Sequence, residues 1–303
     1  MKATREIYYR DRSSNQLITE IIDNEAFLRW FYENSLGFQV LNIAFNCKAP
    51  QQLYATLKRS SKSRANIAAF VEKHSINVEE IELPLSRYRS FNEFFTRKLK
   101  PGKRIFDRNP SIFCSPADGK VLVYPQLEAE QKIPIKGTSI TISDLLDSNI
   151  AANPYRNGSA LIVRLAPYDY HRFHFPVSGI AQGTVDIQGQ YHSVNPIALA
   201  KVPDVFCRNR RAVTTFWSDQ FGQIACIEVG ALTVGSIVQT YQSGRVEKGQ
   251  EKGYFQYGGS TIVLLFEPNR IQFDDDLIRD SMNQLEVHVS AGNKIGHQAA
   301  SDC

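Results

Sequence analysis

The feature that most constrains this chain is a succession of short, β-prone apolar runs that begins near residue 112 and is punctuated by turn residues. Runs at 119–123, 160–165, 183–187, 224–229, 232–240 and 261–266 are each about one strand long, and they predict a mostly antiparallel sheet. The stretch 141–146 reads as a short helix opening on a Ser or Thr cap, and 291–303 as a loose tail.

The N-terminal third reads differently. Phe27, Trp30, Phe31, Phe38, Leu41 and Phe45 recur at helical spacing near one stripe of 23–45, with Asp23 or Asn24 placed to cap it. A second helical stretch is expected over 51–74, where Lys58, Arg59, Lys62 and Arg64 cluster. Core packing accounts for both; aromatic residues followed by cations also suit a membrane interface. The basic run Arg97-Lys98-Leu99-Lys100-Pro101-Gly102-Lys103-Arg104 then marks a boundary at its Pro-Gly turn. The expected fold class is α+β, with a helical, membrane-associated region over 1–95 and a mainly antiparallel β body over 96–303.

At 303 residues and 43% hydrophobic, the chain can bury a sizeable core. No stretch approaches the roughly 20 apolar residues of a membrane-spanning helix. The first residues do not read as a secretory signal, so the expected compartment is the cytosol. Five cysteines without a CxxC pair suggest neither a disulfide framework nor a zinc knuckle. The net charge of +4 is uneven: residues 1–110 hold 19 Lys/Arg against 12 Asp/Glu (+7), and the rest 16 against 19 (−3). A surplus of that kind suits lipid headgroups or nucleic acid, and equally an ordinary solvated face.

Three segments could carry chemistry. In Ser115-Pro116-Ala117-Asp118-Gly119-Lys120 a lone aspartate precedes an apolar strand; alone it is a turn residue bonding its own backbone. In Asp169-Tyr170-His171-Arg172-Phe173-His174-Phe175-Pro176 two of only six histidines lie three apart. No Glu or Cys supports a metal site there, whereas imidazoles titrating near neutrality suit general acid–base work. In Tyr257-Gly258-Gly259-Ser260-Thr261 two glycines and two hydroxyls enter a strand, which is ordinarily a tight turn or bulge. The same arrangement also lets Ser260 attack the carbonyl of Gly259.

Taken together, and in order, these segments resemble the phosphatidylserine decarboxylase family. Phe94-Phe95-Thr96-Arg97-Lys98-Leu99-Lys100-Pro101, Val229-Gly230-Ala231, Val234-Gly235-Ser236-Ile237 and Lys252-Gly253-Tyr254-Phe255 extend the likeness, which runs from about residue 90 to 270. The position before the cleavage glycine is Gly258 here, where many bacterial members carry Leu or Val.

The resemblance implies a proenzyme that cuts itself between Gly259 and Ser260 into a β chain (1–259) and an α chain (260–303). Ser260 attacks the Gly259 carbonyl, with His174 as base and Asp118 as its orienter, and β-elimination then leaves a pyruvoyl group in place of Ser260. That covalent cofactor would form a Schiff base with phosphatidylserine and act as the electron sink for loss of carbon dioxide, giving phosphatidylethanolamine. His171 is the candidate proton donor. The resemblance further implies a homodimer and peripheral attachment to the anionic cytoplasmic face of the cell membrane, with residues 25–64 and 97–104 nearest the lipid. His192 is a candidate pocket residue and Arg172 a candidate phosphate contact.

Two rival readings use the same residues. A Ser-His-Asp hydrolase would keep its nucleophile and its chain whole, but Ser260 lacks the Gly-x-Ser-x-Gly elbow. A basic membrane- or nucleic-acid-binding module would show an intact chain and strongly salt-dependent binding.

Overall fold

A computed structural model of the chain describes residues 6–45, 56–127, 132–135, 138–202, 204–231, 237–258 and 260–300. Its frame is an eleven-stranded sheet, and the expected α+β class is what the chain adopts. From one edge the strands run Gly244–Val246, Gly179–Ala181, Arg211–Ser218, Gly222–Gly230, Ser260–Phe266, Ser159–Leu165, Gly119–Tyr124, Glu286–Val289, Tyr8–Asp11 and Leu17–Thr19; Val185–Ile187 also pairs with Arg211–Ser218. Only the pairing of Tyr8–Asp11 with Glu286–Val289 is parallel.

Ser159–Leu165 and Ser260–Phe266 are buried at every position because both faces of the sheet are covered. Side chains alternate between two cores: Val263 and Leu265 enter one with Ile162 and Ile227, while Ile262, Leu264 and Phe266 enter the other with Leu161 and Val163. A third, aromatic cluster gathers Tyr88, Phe91, Phe94 and Phe95. It is built on the short helix Phe91–Phe95, whose N-cap Ser90 accepts from the Glu93 amide in the capping manner expected of Ser-x-x-Glu.

The helical stripe over 23–45 forms as two helices. Glu25–Glu33 and Ser35–Phe45 are divided at Asn34, which is extended and whose side chain accepts from the amides of Leu36 and Gly37. Asn24 holds the N-cap position but makes no side-chain cap bond, and Asp23 turns to Lys73 and His74 instead. The stripe divides as well: Phe31, Tyr32 and Leu41 are buried, while Phe27 and Trp30 are about half exposed. Of the expected stretch 51–74, the described part forms a short turn of helix, a 3-10 segment Ser61–Asn66 and the helix Ile67–Lys73.

Two findings differ from the sequence reading. The tail is not loose over its described length: Lys294–Gln298 is a strand between Ile112–Cys114 and Ile271–Phe273, with Ile295 fully buried. Its partners are remote in sequence, so local pattern could not reveal the pairing. The N-terminal third is also not wholly helical, since Tyr8–Asp11 and Leu17–Thr19 extend the main sheet. The expected helix at 141–146 is present as Ile142–Leu146, capped by Thr141.

Candidate active site

The chain crosses from one sheet to another at the expected cleavage point. Glu251–Phe255 lies in a three-stranded sheet between Ile237–Gln239 and Arg172–His174, whereas Ser260–Phe266 lies at the heart of the main sheet. Gly258 bridges them at φ +139°, a conformation that strains any residue with a Cβ. Tyr257 anchors the crossing: its amide donates to Asn92 Oδ1 at 3.0 Å, and its ring packs edge-on against Phe91 and Phe95. Gly259 and residues 232–236 of the Val234-Gly235-Ser236 motif lie outside the described residues.

Ser260 is fully buried opposite Gly230 and Leu165, and among the described residues its hydroxyl has no hydrogen-bond partner. A buried hydroxyl without a partner needs an explanation, and Thr261 Oγ1 and Ser218 Oγ share that state among the described residues.

His171 and His174 face different surroundings, as strand-like alternation requires for residues three apart. His171 is fully buried with its ring against Phe95, centroids 3.9 Å apart, and its carbonyl accepts from the Phe255 amide, which sets it beside the crossing. Its Nδ1 is 2.9 Å from the Asp169 carbonyl, which can only accept, so Nδ1 carries the proton, while Nε2 faces the Gly258 backbone and makes no hydrogen bond of good geometry among the described residues. Burial pushes its pKa down to about 4, against an opposing pull from the Asp169 carbonyl. The expectation of an imidazole poised near neutrality is therefore corrected: His171 is neutral at pH 7.

His174 packs between Phe106 and Tyr170, and its amide donates to the Pro116 carbonyl at 2.8 Å, tying its strand to the turn that holds Asp118. Its Nδ1 is buried and makes no hydrogen bond of good geometry among the described residues. Burial lowers its pKa, opposed by Glu251, the Pro116 carbonyl and Asp118.

Asp118 is buried in the tight turn before Gly119–Tyr124. Gly119 is required there, at φ +157°, because a Cβ would lie 2.7 Å from the Arg164 carbonyl oxygen. The carboxylate accepts from Arg104 Nε at 2.7 Å, Arg104 Nη2 at 2.5 Å and the Ala291 amide at 2.8 Å. Among the described residues it makes no hydrogen bond to His174.

A cavity of about 250 Å³ opens onto this crossing. Gly258, Tyr257 and Leu165 form one wall, and Asp23, Phe27 and Leu28 of the N-terminal region form the other. At its base Arg164 bridges Glu20 and Glu286 at 2.5 to 2.9 Å. Next to this network Asp169 is buried; Lys120 and His288 outweigh the effect of burial and hold its carboxyl well below the usual range.

Other candidates fall elsewhere. His192 does not line the cavity: its Nε2 pairs with Gln190 and its ring stacks on Phe38, while Ser193, Val194 and Asn195 beside it do line the wall. Arg172 is structural, forked onto Glu251 and bonded to the carbonyls of Thr96 and Arg97. The basic run is split: Arg97 and Arg104 turn inward and Lys98, Lys100 and Lys103 outward. Arg104 is the residue that sequence reasoning missed. Its position in a run of surface-like cations concealed it.

The family model described as phosphatidylserine decarboxylase matches residues 91–297. Proteins named phosphatidylserine decarboxylase proenzyme are similar along nearly the whole chain. That of Ruminiclostridium cellulolyticum is 42% identical over 95% of this chain and 96% of its own length. Those of Clostridium tetani and Clostridium botulinum are 42% and 39% identical, over 97% and 96% of this chain and 99% of their own lengths. This chain is therefore an enzyme, and it belongs to the phosphatidylserine decarboxylase family.

Proposed function

We propose that the chain cuts itself at Gly259–Ser260 and, once processed, decarboxylates phosphatidylserine to phosphatidylethanolamine. The observation that carries the reading is Ser260: a buried hydroxyl with no partner among the described residues, where the chain passes from Gly258, in a conformation only glycine adopts freely, into a fully buried strand. In the cleavage, His174 takes the Ser260 hydroxyl proton as the oxygen bonds to the Gly259 carbonyl carbon. The C–N bond breaks, and His174 returns the proton to the nitrogen. Elimination then removes the serine Cα proton to a base and breaks the Cβ–O bond, releasing the Gly259 carboxylate and leaving dehydroalanine, which water converts to a pyruvoyl group with loss of ammonia.

A partnerless oxygen in a buried strand end fits such a covalent group, which would supply an electron sink for the departing carboxylate. The protein's residues do the rest. His171, neutral with an open Nε2, takes a proton from the substrate ammonium and later returns one to the carbon that loses carbon dioxide. The 250 Å³ cavity beside Gly258 is where the headgroup enters. Exposed Ile21 and Phe27 line it, Trp30 is exposed one turn on from Phe27, and Leu36 and Val40 are exposed on the next helix. This face rests in the membrane interface, as a two-chain lipid cannot leave the bilayer at about 0.8 kcal/mol per methylene. No helix among the described residues is long and apolar enough to cross a membrane.

The test is conversion of phosphatidylserine in detergent micelles by the purified protein. Carbon dioxide and phosphatidylethanolamine are expected in equal amounts, with none from Ser260→Ala. Release of free fatty acid by an uncut chain would favour the hydrolase reading instead.

A further inference from the structure

We propose that Arg104 is a positioning residue for self-cleavage: its guanidinium fork sets the Asp118 carboxylate so that one lone pair remains for the His174 ring. The inference rests on the roles given above to Asp118, His174 and Ser260.

The argument is one of valence. A carboxylate offers about four lone-pair sites, two on each oxygen. On Asp118, Oδ1 is filled by Arg104 Nε and the Ala291 amide, and Oδ2 receives only Arg104 Nη2. One site on Oδ2 is left over. His174 Nδ1 is buried and makes no hydrogen bond of good geometry among the described residues, and both its backbone and its ring lie against Pro116, two residues before Asp118. An open acceptor and an open ring nitrogen thus stand on two segments tied together by a main-chain bond.

Arg104 is itself held on three sides. Nη1 donates to Glu80 Oε2 at 2.9 Å and to the Lys103 carbonyl at 2.8 Å, and the guanidinium lies 5.9 Å from the centre of the Tyr170 ring, which stacks on His174. Glu80 is fixed in turn, because its carbonyl accepts from the Lys100 amide at 2.8 Å. A cation serving only as surface charge needs none of these bonds. A planar fork fixes both carboxylate oxygens at once, which a lysine ammonium cannot do.

The experiment follows conversion of full-length Arg104→Gln, Arg104→Lys, Arg104→Ala and Asp118→Asn into two chains by intact mass. The melting temperature of each change is measured in a Ser260→Ala background. Arg104→Gln is expected to slow cleavage on the order of a hundredfold, Arg104→Lys to slow it less, and millimolar guanidinium to restore part of the rate to Arg104→Ala. Cleavage by Asp118→Asn at the wild-type rate would remove the reading beneath the inference. An inert Asp118→Asn beside an Arg104→Gln that cleaves normally would overturn the inference alone. Should Arg104→Gln or Arg104→Ala melt below the working temperature, Arg104→Lys decides, and a wild-type rate from that variant contradicts the proposal.

Discussion

Arg164 and Glu286 form a buried ion pair, Nη2 to Oε2 at 2.5 Å, between residues that cleavage at Gly259–Ser260 would place on separate chains. The same guanidinium also holds Glu20, so three remote parts of the sequence meet on one side chain. The strand Ser260–Phe266 is flanked on both sides by strands that precede the cut, and Glu286–Val289 pairs with Gly119–Tyr124 and Tyr8–Asp11.

The two products should therefore remain one folded body after cleavage, coming apart only in denaturant. Arg164→Met should destabilise the fold by about 3 kcal/mol, because it removes the buried guanidinium to which both Glu20 and Glu286 are bonded and leaves Lys120 3.6 Å from Glu20. Urea unfolding in a Ser260→Ala background measures this. A loss below about 1 kcal/mol would show that the network does not carry the junction.

Much of this architecture was legible in the sequence. The strands at 119–124, 159–165, 222–230 and 260–266 announce themselves because strands covered on both faces are largely apolar, here with Lys120, Arg164 and Glu228 as buried exceptions, and the short helix at 142–146 because a threonine cap precedes it. The order of strands was not legible. Pairings such as Lys294 with Cys114, or Tyr9 with Glu286, join residues whose local patterns say nothing of each other. Asp118, His174 and Ser260 could be named from motifs, whereas the environment of His171 could not: Phe95 and the Asp169 carbonyl reach it through folding, and burial moves its titration from near neutrality down to about 4.

That burial has a consequence for stability. The unfolded chain binds a proton at position 171 near pH 6.5 and the folded chain only near 4, so between these values the unfolded state holds more protons and stability falls as pH falls. The loss should reach roughly 3 kcal/mol by pH 4. Unfolding of the Ser260→Ala chain and of Ser260→Ala/His171→Phe at pH 4.5 and 7 isolates the contribution. Equal pH dependence in both would contradict the assignment.

Self-cleavage should have an acid limb set by His174. Burial lowers its pKa, so the base stays neutral and the rate stays flat to below the ordinary histidine value of about 6.5 before falling. The rate of conversion across pH 5–8 measures it. A limb at or above 6.5 would place the base elsewhere.

Membrane attachment should depend on the exposed rings beside the cavity. Phe27→Ser and Trp30→Ser remove side chains that are 51% and 46% exposed, and each should weaken binding to phosphatidylserine vesicles by about 1–2 kcal/mol while leaving the melting temperature unchanged. Sedimentation with vesicles reads the effect. Unchanged binding would move the lipid-facing surface away from these helices.

The central claim is that Ser260 is consumed. Intact mass measurement of the purified chain beside Ser260→Ala tests it directly: the account predicts fragments 1–259 and 260–303, the smaller beginning with a pyruvoyl group, and a single whole chain from the variant. A catalytically active wild-type protein that keeps one unmodified chain would contradict it.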